Sequence, residues 1–190
     1  MSGSSTRKFR HDDAERRNWQ DPEAILQGIG LGPGDTFIDV GCGGGFFALP
    51  AAKIVGVSGR VFGVDIDAGS IERLGEEARR EGITNLVLRT SPAEETVFCD
   101  SCADYVFFGI DLHDFSDPRR VIANAKRMLG PEGTLIDLDW KKKPTPMGPP
   151  PGIRFSEEEA RAMIEASGLR VTQIRDEGPY HYLITAIHGN

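Results

Sequence analysis

The chain has 190 residues, of which 39% are hydrophobic and 27% charged, with a formal net charge of −7. That length suits one domain with a short extension, and the balance is enough to build a buried core. The acidic charge excludes a broad nucleic-acid footprint, which needs clustered Lys and Arg to displace counterions. Three cysteines are too few, and odd in number, for a secreted disulfide framework. No apolar run approaches the roughly 18 residues of a membrane span. The polar, basic stretch 1–10 lacks the apolar core of a secretory signal. The expectation is a cytoplasmic protein that engages neither nucleic acid nor membrane.

Residues 1–20 are polar and densely charged and are expected to form a flexible or lid-like segment, disordered at its start. Residues 21–190 are expected to form the single domain. Asp21-Pro22 places a cap residue before a proline at the first helical position. Ala24, Ile25 and Ile29 follow at helical spacing, and 31–35 is a Gly/Pro turn. A βα alternation then begins, with a strand at 36–40 that runs into glycines. A helix is predicted over 46–55, with Pro50 in its first turn or kinking it. Strands follow at 60–65, 85–89, 103–108 and 133–140. Between them lie helices at 70–81, ended by Gly82, and at 118–129, capped by Asp117. Ser156 to Glu159 is a capping box opening a helix that Gly168 ends. The last strands, 169–175 and 180–187, are too closely joined to be parallel. The pattern predicts an α/β fold: a doubly wound, mostly parallel seven-stranded sheet with the last strand antiparallel. The proline-rich stretch 144–151 is either a surface connection or a stiff rim over a site, since loops at strand C-termini hold ligands in such sheets.

The informative stretch is Asp39-Val40-Gly41-Cys42-Gly43-Gly44-Gly45-Phe46, which leaves a predicted strand and opens a predicted helix. Glycines there let a ligand approach the backbone, and a nucleotide is the usual guest. A dinucleotide fingerprint needs a glycine where Phe46 stands, so the loop is not built for a pyrophosphate. Asp39, two residues ahead of the first glycine, would also repel one and would attract a ligand with cationic groups. Asp65 ends the second strand, 20 residues after Gly45, where a carboxylate can accept from both hydroxyls of a ribose. Ile66 is placed to cover one face of an adenine. The plainer reading is that Asp65 and Asp67 only cap the next helix.

The glycine loop, Gly63-Val64-Asp65-Ile66-Asp67, Leu112-His113-Asp114-Phe115 and Leu129-Gly130-Pro131-Glu132-Gly133 together resemble the class I S-adenosylmethionine-dependent methyltransferases. The resemblance spans about residues 20–187 and is nearest the small archaeal and bacterial branch akin to quinone and arsenite methyltransferases. It implies S-adenosylmethionine as cofactor, with its methionine end at Asp39, Gly41, Cys42, Gly43 and Gly45 and its ribose at Asp65 beside Ile66. The adenine-contacting pair of that family falls on Pro92 and Ala93. Pro92 replaces the aspartate often found there, so Glu94, Glu95 or a backbone carbonyl takes its place. Phe108 and Gly109 would pass beside the methionine moiety and the reacting methyl.

Methyl transfer from a sulfonium is an in-line displacement, so alignment and water exclusion dominate, and a base is needed only when the acceptor loses a proton. Asp111 and His113, just past the fourth strand, are the candidates to face the acceptor; the plainer readings are a solvated loop carboxylate and a packed or capping histidine. Trp140, Lys141, Tyr180, His181 and Tyr182 either line an acceptor pocket or serve as core and edge-strand residues. Arg16, Arg17 and Trp19 either fold over the cleft or decorate a helix surface. With no substrate domain, the N-terminal segment, the proline-rich loop or the second subunit of a homodimer must complete the pocket around a small-molecule or protein acceptor. Cys99 and Cys102 form a Cys-x-x-Cys pair. Zinc would need completion by Cys42 or by His11, His113 or His181, so no metal is assigned. Trivalent arsenic held by these thiols is a possible acceptor, and two reduced thiols are the plain expectation. Against the enzyme reading stand a cofactor-binding regulatory module without catalysis and a nicotinamide oxidoreductase, the latter opposed by Phe46 and Asp39.

Overall fold

A computed structural model describes residues 13–189, so the expectations about the first residues and His11 fall outside the described chain. The elements, in order, are α1 (Asp13–Arg16), α2 (Pro22–Gly28), β1 (Thr36–Val40), α3 (Ala48–Val55), β2 (Arg60–Asp65), α4 (Ala68–Arg80) and β3 (Leu86–Thr90). They continue as β4 (Ala103–Gly109), α5 (Pro118–Met128), β5 (Leu129–Trp140), α6 (Glu157–Ala166), β6 (Leu169–Glu177) and β7 (His181–His188). Among the described residues, no helix is long and apolar enough to cross a membrane.

The seven strands order as β3-β2-β1-β4-β5-β7-β6. β1 to β5 pair in parallel, and β7 runs antiparallel to both β5 and β6. Successive side chains of a strand point to opposite faces, so this sheet is buried on both sides. Phe37 and Phe107 pack with α2, α3 and Leu74 of α4 on one face. Ile38, Val106 and Phe108 pack with α5 and α6 on the other.

Local chemistry sets the helix ends. Asp21, Asp67 and Asp117 each accept a backbone N–H from the first turn that follows. The Ser156 capping box is complete, with Glu159 Oε2 accepting from the Ser156 N–H at 2.7 Å. α3 begins at Ala48 rather than at 46, which puts Pro50 in the first turn, where no N–H is needed. β5 begins four residues earlier than the pattern predicts. Leu129 pairs with Ala103, and a register shift between Ala103 and Tyr105 absorbs the Gly130-Pro131 segment.

Chain order reverses between β1 and β4, which lie side by side with Val40 opposite Phe108. In an open α/β sheet such a reversal leaves a crevice beyond the strand C-termini, because the connecting helices diverge to opposite faces. The glycine loop leaves β1 and the Asp111–His113 segment leaves β4 at this one place.

Candidate functional site

A cavity of about 280 Å³ occupies that crevice. Its floor is Gly41 to Gly44 with Asp65, and its walls include Gly109, Ile110, Asp111, His113, Phe115 and Trp140.

The loop is fastened before any ligand is considered. Gly41 and Cys42 both donate to the Val64 carbonyl, at 2.8 and 3.0 Å. Asp65 Oδ2 accepts from the Gly43 N–H at 3.0 Å, and its Oδ1 from the Asp67 N–H at 2.8 Å. Asp65 thus ties the loop to the start of α4 while its carboxylate still edges the cavity. Asp67 is the cap of α4, as its plainer reading has it. Gly45 has φ +93, and a Cβ there would sit 2.3 Å from Leu74 Cδ1, so its smallness lets α4 close against the loop.

Carboxylates crowd beneath and beside the loop. Asp39 is 2% exposed, lies below the cavity rather than in its lining, and has one oxygen without a hydrogen-bond partner. Burial pushes its pKa up to about 7, against the pull of Arg16 and with repulsion from Asp65. Both carboxylate oxygens of Asp111 are buried, and neither has a partner. Burial, then repulsion from Asp39, Asp139, Asp65 and Asp114, raises its pKa well above the carboxylate range. Its carboxyl lies directly over Gly41, where a Cβ would come within 1.9 Å of Oδ2. Cys42 is a free, buried thiol, and burial next to these carboxylates pushes it up as well.

His113 also lines the cavity. Its Nδ1 lies 2.8 and 2.9 Å from the two oxygens of Asp139, and its Nε2 is 3.6 Å from Asp114 Oδ1. Burial depresses the imidazole, but the charge and hydrogen bond of Asp139, with Asp114, outweigh it and leave the pKa raised. Asp139 is completely buried on β5 and also accepts from the Trp140 N–H at 2.7 Å. Two residues back on the same face, Asp137 is buried without a partner; burial and then Asp139 push its pKa well above the usual carboxylate value.

Three further segments complete the walls. Arg16 lines the cavity with its guanidinium 4.0 Å above the Phe46 ring, while Arg17 pairs with Glu23 at the surface. Trp19 stacks on His181 at 5.2 Å and meets Trp140 at 5.4 Å, anchoring the N-terminal segment beside the cleft. Pro149 lines the rim, and Gly148 lies against the Trp140 indole. Arg154 holds this rim in shape. It donates to the carbonyls of Pro149, Lys141, Lys143 and Met147 and to Thr145 Oγ1, and its guanidinium lies 5.0 Å from the Trp140 ring centroid.

Of the residues singled out from sequence, Gly41, Cys42, Gly43, Asp65, Gly109, Asp111 and His113 meet at the cavity. Gly45 lies just behind it, and Ile66 is 57% exposed between the two lining residues Asp65 and Asp67. Ala93 and Phe108 are buried outside the lining, and Tyr182 is a core residue. Glu94 accepts from the Ser116 and Asp117 N–H groups and borders a separate surface cavity with Glu95 and Cys99. Lys141 pairs with Asp176 at 2.7 Å. The plain expectation of two reduced thiols is corrected: Cys99 and Cys102 form a disulfide, their Cα atoms 6.0 Å apart across a tight loop. They lie away from the cleft, so they hold no acceptor there. Among the described residues no cluster of three or more His, Cys, Asp or Glu could hold a metal ion.

Sequence reasoning missed Asp139, Arg154 and Phe115 as parts of the site. The signal for Asp139 was present, since two aspartates inside an apolar strand need partners or protons.

Residues 31–172 match the family described as a methyltransferase domain. A demethylmenaquinone methyltransferase of Geobacillus kaustophilus is 27% identical over 133 residues, covering 70% of this chain and 56% of that protein. The chain spans about half the length of the curated relatives it matches. A crystal structure of an S-adenosylmethionine-dependent methyltransferase from Aquifex aeolicus superposes with TM-score 0.84 at 29% identity, covering 93% of this chain and 98% of that one. A type 11 methyltransferase from Sulfolobus solfataricus, itself described as putative, gives 0.74 at 26% identity over 90% and 94%. The fold, the glycine loop at the sheet's switch point and the family match over most of its length agree: the chain belongs to the methyltransferase-domain family, with the class I S-adenosylmethionine-dependent architecture.

Proposed function

We propose that this protein transfers the methyl group of S-adenosylmethionine to a small molecule or an exposed protein side chain. One observation carries the reading: the glycine loop and His113, whose Nδ1 is held by buried Asp139, line a single cavity. The residues fit the cofactor. Unpartnered buried carboxylates suit a ligand with an ammonium and a sulfonium, and Asp65 retains accepting capacity for ribose hydroxyls. Exposed Ile66 offers an apolar surface for adenine. When bound, the cofactor supplies an electrophilic methyl group.

The chain's own residues supply alignment, dryness and a base. Phe46, Ile110, Phe115 and Trp140 give the cleft apolar surface, from which a bound ligand displaces water. Asp139 fixes the proton of His113 on Nδ1, which leaves Nε2 to take a proton from the acceptor. Its raised pKa makes it a stronger base than a free imidazole. Such a base serves a hydroxyl, phenol or protonated amine. Quinols are the first acceptors to try, because the curated relatives carry demethylmenaquinone in their names.

The test is an acceptor screen with labelled cofactor, quinols included, followed by Asp139→Asn. Activity should rise with pH as His113 loses its proton. Without the Asp139 charge the His113 pKa falls, so the rising limb should move to lower pH while the maximal rate drops. A limb that stays in place would remove His113 from the base role.

A further inference from the structure

We propose that Cys99 and Cys102 form a reversible thiol–disulfide exchange site, with Cys102 as the sulfur attacked, and that the closed ring caps the C-terminal end of α5. The site is independent of the methyl-transfer reading, because the pair lies away from the cleft. The disulfide joins residues three positions apart. A staple gains most from closing a long loop, so a ring this short contributes little through chain entropy. The two cysteines also differ in access. Cys102 is exposed, whereas Cys99 is half-buried against the core and borders the surface cavity with Asp100 and Arg127. Access of this kind sets which sulfur an incoming thiolate reaches. The third cysteine, Cys42, is buried and free.

The backbone shows what the ring holds. Ser101, between the cysteines, has φ +52, a left-handed conformation uncommon for a residue with a side chain. The turn aims two successive N–H groups at the end of α5. Ser101 donates to the Arg127 carbonyl at 3.0 Å and Cys102 to the Met128 carbonyl at 2.9 Å. Both carbonyls belong to the last turn of the helix, where no partner exists within the helix itself. The Arg127 guanidinium in turn pairs with Asp100. Opening the ring frees Ser101 to leave this conformation, and the cap goes with it.

In the exchange, a thiolate of a small dithiol attacks Cys102 Sγ, the Cys99–Cys102 bond breaks, and Cys99 leaves as a thiolate. The second thiolate of the dithiol then attacks the reagent sulfur of the mixed disulfide, and Cys102 leaves. The protein gains two electrons and two protons, and the dithiol loses them as it closes to a cyclic disulfide. The oxidised dithiol reverses the exchange.

The experiment uses the full chain under native conditions. Dithiothreitol followed by iodoacetamide should label Cys99 and Cys102, read by intact mass, with Cys42 labelled only after denaturation. Oxidised dithiothreitol, added in place of iodoacetamide, should restore the disulfide. On reduction, amide hydrogen exchange at Ser101 and Cys102 should quicken by about 2- to 10-fold, as loss of one hydrogen bond does. Cys99→Ser, which leaves Cys102 single, should take up glutathione from its disulfide about 10-fold faster than Cys102→Ser, which leaves Cys99. Labelling of Cys42 in step with the pair would mean that the disulfide opens only with the fold, and would overturn the exchange site. Thiols that oxidised dithiothreitol fails to close would overturn it too. Equal or faster capture at Cys99 would remove Cys102 as the sulfur attacked, and unchanged exchange at Ser101 and Cys102 would remove the cap. The wild-type labelling and exchange measurements keep the test decisive if either variant folds poorly.

Discussion

Gly41→Ala and Gly43→Ala form a matched pair that tests how the loop and Asp111 share space. Both glycines have positive φ, +82 and +49, so alanine at either carries a left-handed backbone penalty of about 1–2 kcal/mol. At Gly43 a Cβ meets nothing within 4 Å. At Gly41 it would lie 1.9 Å from Asp111 Oδ2 and 2.7 Å from Cγ, so the buried carboxyl must move. Displacing a packed group adds about 1–3 kcal/mol, for a total of about 2–5 kcal/mol. In a domain of this size each kcal/mol shifts Tm by about 2–4 °C. Thermal unfolding should therefore show a drop of about 2–8 °C for Gly43→Ala and about 4–20 °C for Gly41→Ala. Calorimetry should show a larger loss of S-adenosylhomocysteine affinity for Gly41→Ala. Equal losses in both variants, in stability and in affinity, would mean that Asp111 does not rest on Gly41, and the account of this wall would be wrong.

Single residues elsewhere give further expected outcomes. Asp39 is raised in the fold to about 7, so its neutral form is favoured there: its contribution to stability is complete below the ordinary carboxylate pKa and is lost as pH rises through 7. Asp111 and Asp137 are shifted in the same direction. The ligand-free protein should thus lose Tm as pH rises from about 4 to 7, and Asp39→Asn should flatten that slope and gain on the order of 1–4 kcal/mol at pH 8; a steeper slope would refute the reasoning. Arg154→Ala strips donors from four carbonyls and a hydroxyl, and should cost about 3–5 kcal/mol and open residues 141–153 to protease; Lys at that position should not rescue it, because an ammonium cannot reproduce the planar fork. Asp65→Ala should weaken cofactor binding by about 1–3 kcal/mol, measured by calorimetry, and unchanged affinity would remove Asp65 from the ribose role.

The fold is legible because its signals are local and repeated. Short apolar strands alternate with capped helices, and Asp21, Asp117 and Ser156 mark helix starts in the sequence as they do in the structure. The glycine loop is legible because few physical situations require so many glycines between a strand and a helix. What escapes is whatever depends on long-range pairing. His113 stands out by its position, but its partner Asp139 lies 26 residues away on a neighbouring strand, within an apolar run whose pattern speaks only of core. Asp111 stands out by its position after β4, but the seat of its carboxyl over Gly41, next to the left-handed backbone of Ile110, is announced by no pattern. The bonds that Glu94 Oε1 accepts from the Ser116 and Asp117 N–H groups ahead of α5 join residues 22 and 23 positions apart and leave no local signal. Arg154 gives no signal, because its acceptors are mostly backbone carbonyls.

The central claim is that the glycine loop and its carboxylates hold the methyl donor rather than a dinucleotide. Calorimetric titration of the full chain with S-adenosylmethionine, S-adenosylhomocysteine and NAD tests it most directly. The account predicts saturable binding of the first two and none of NAD. Tight binding of NAD with no binding of the other two would contradict it.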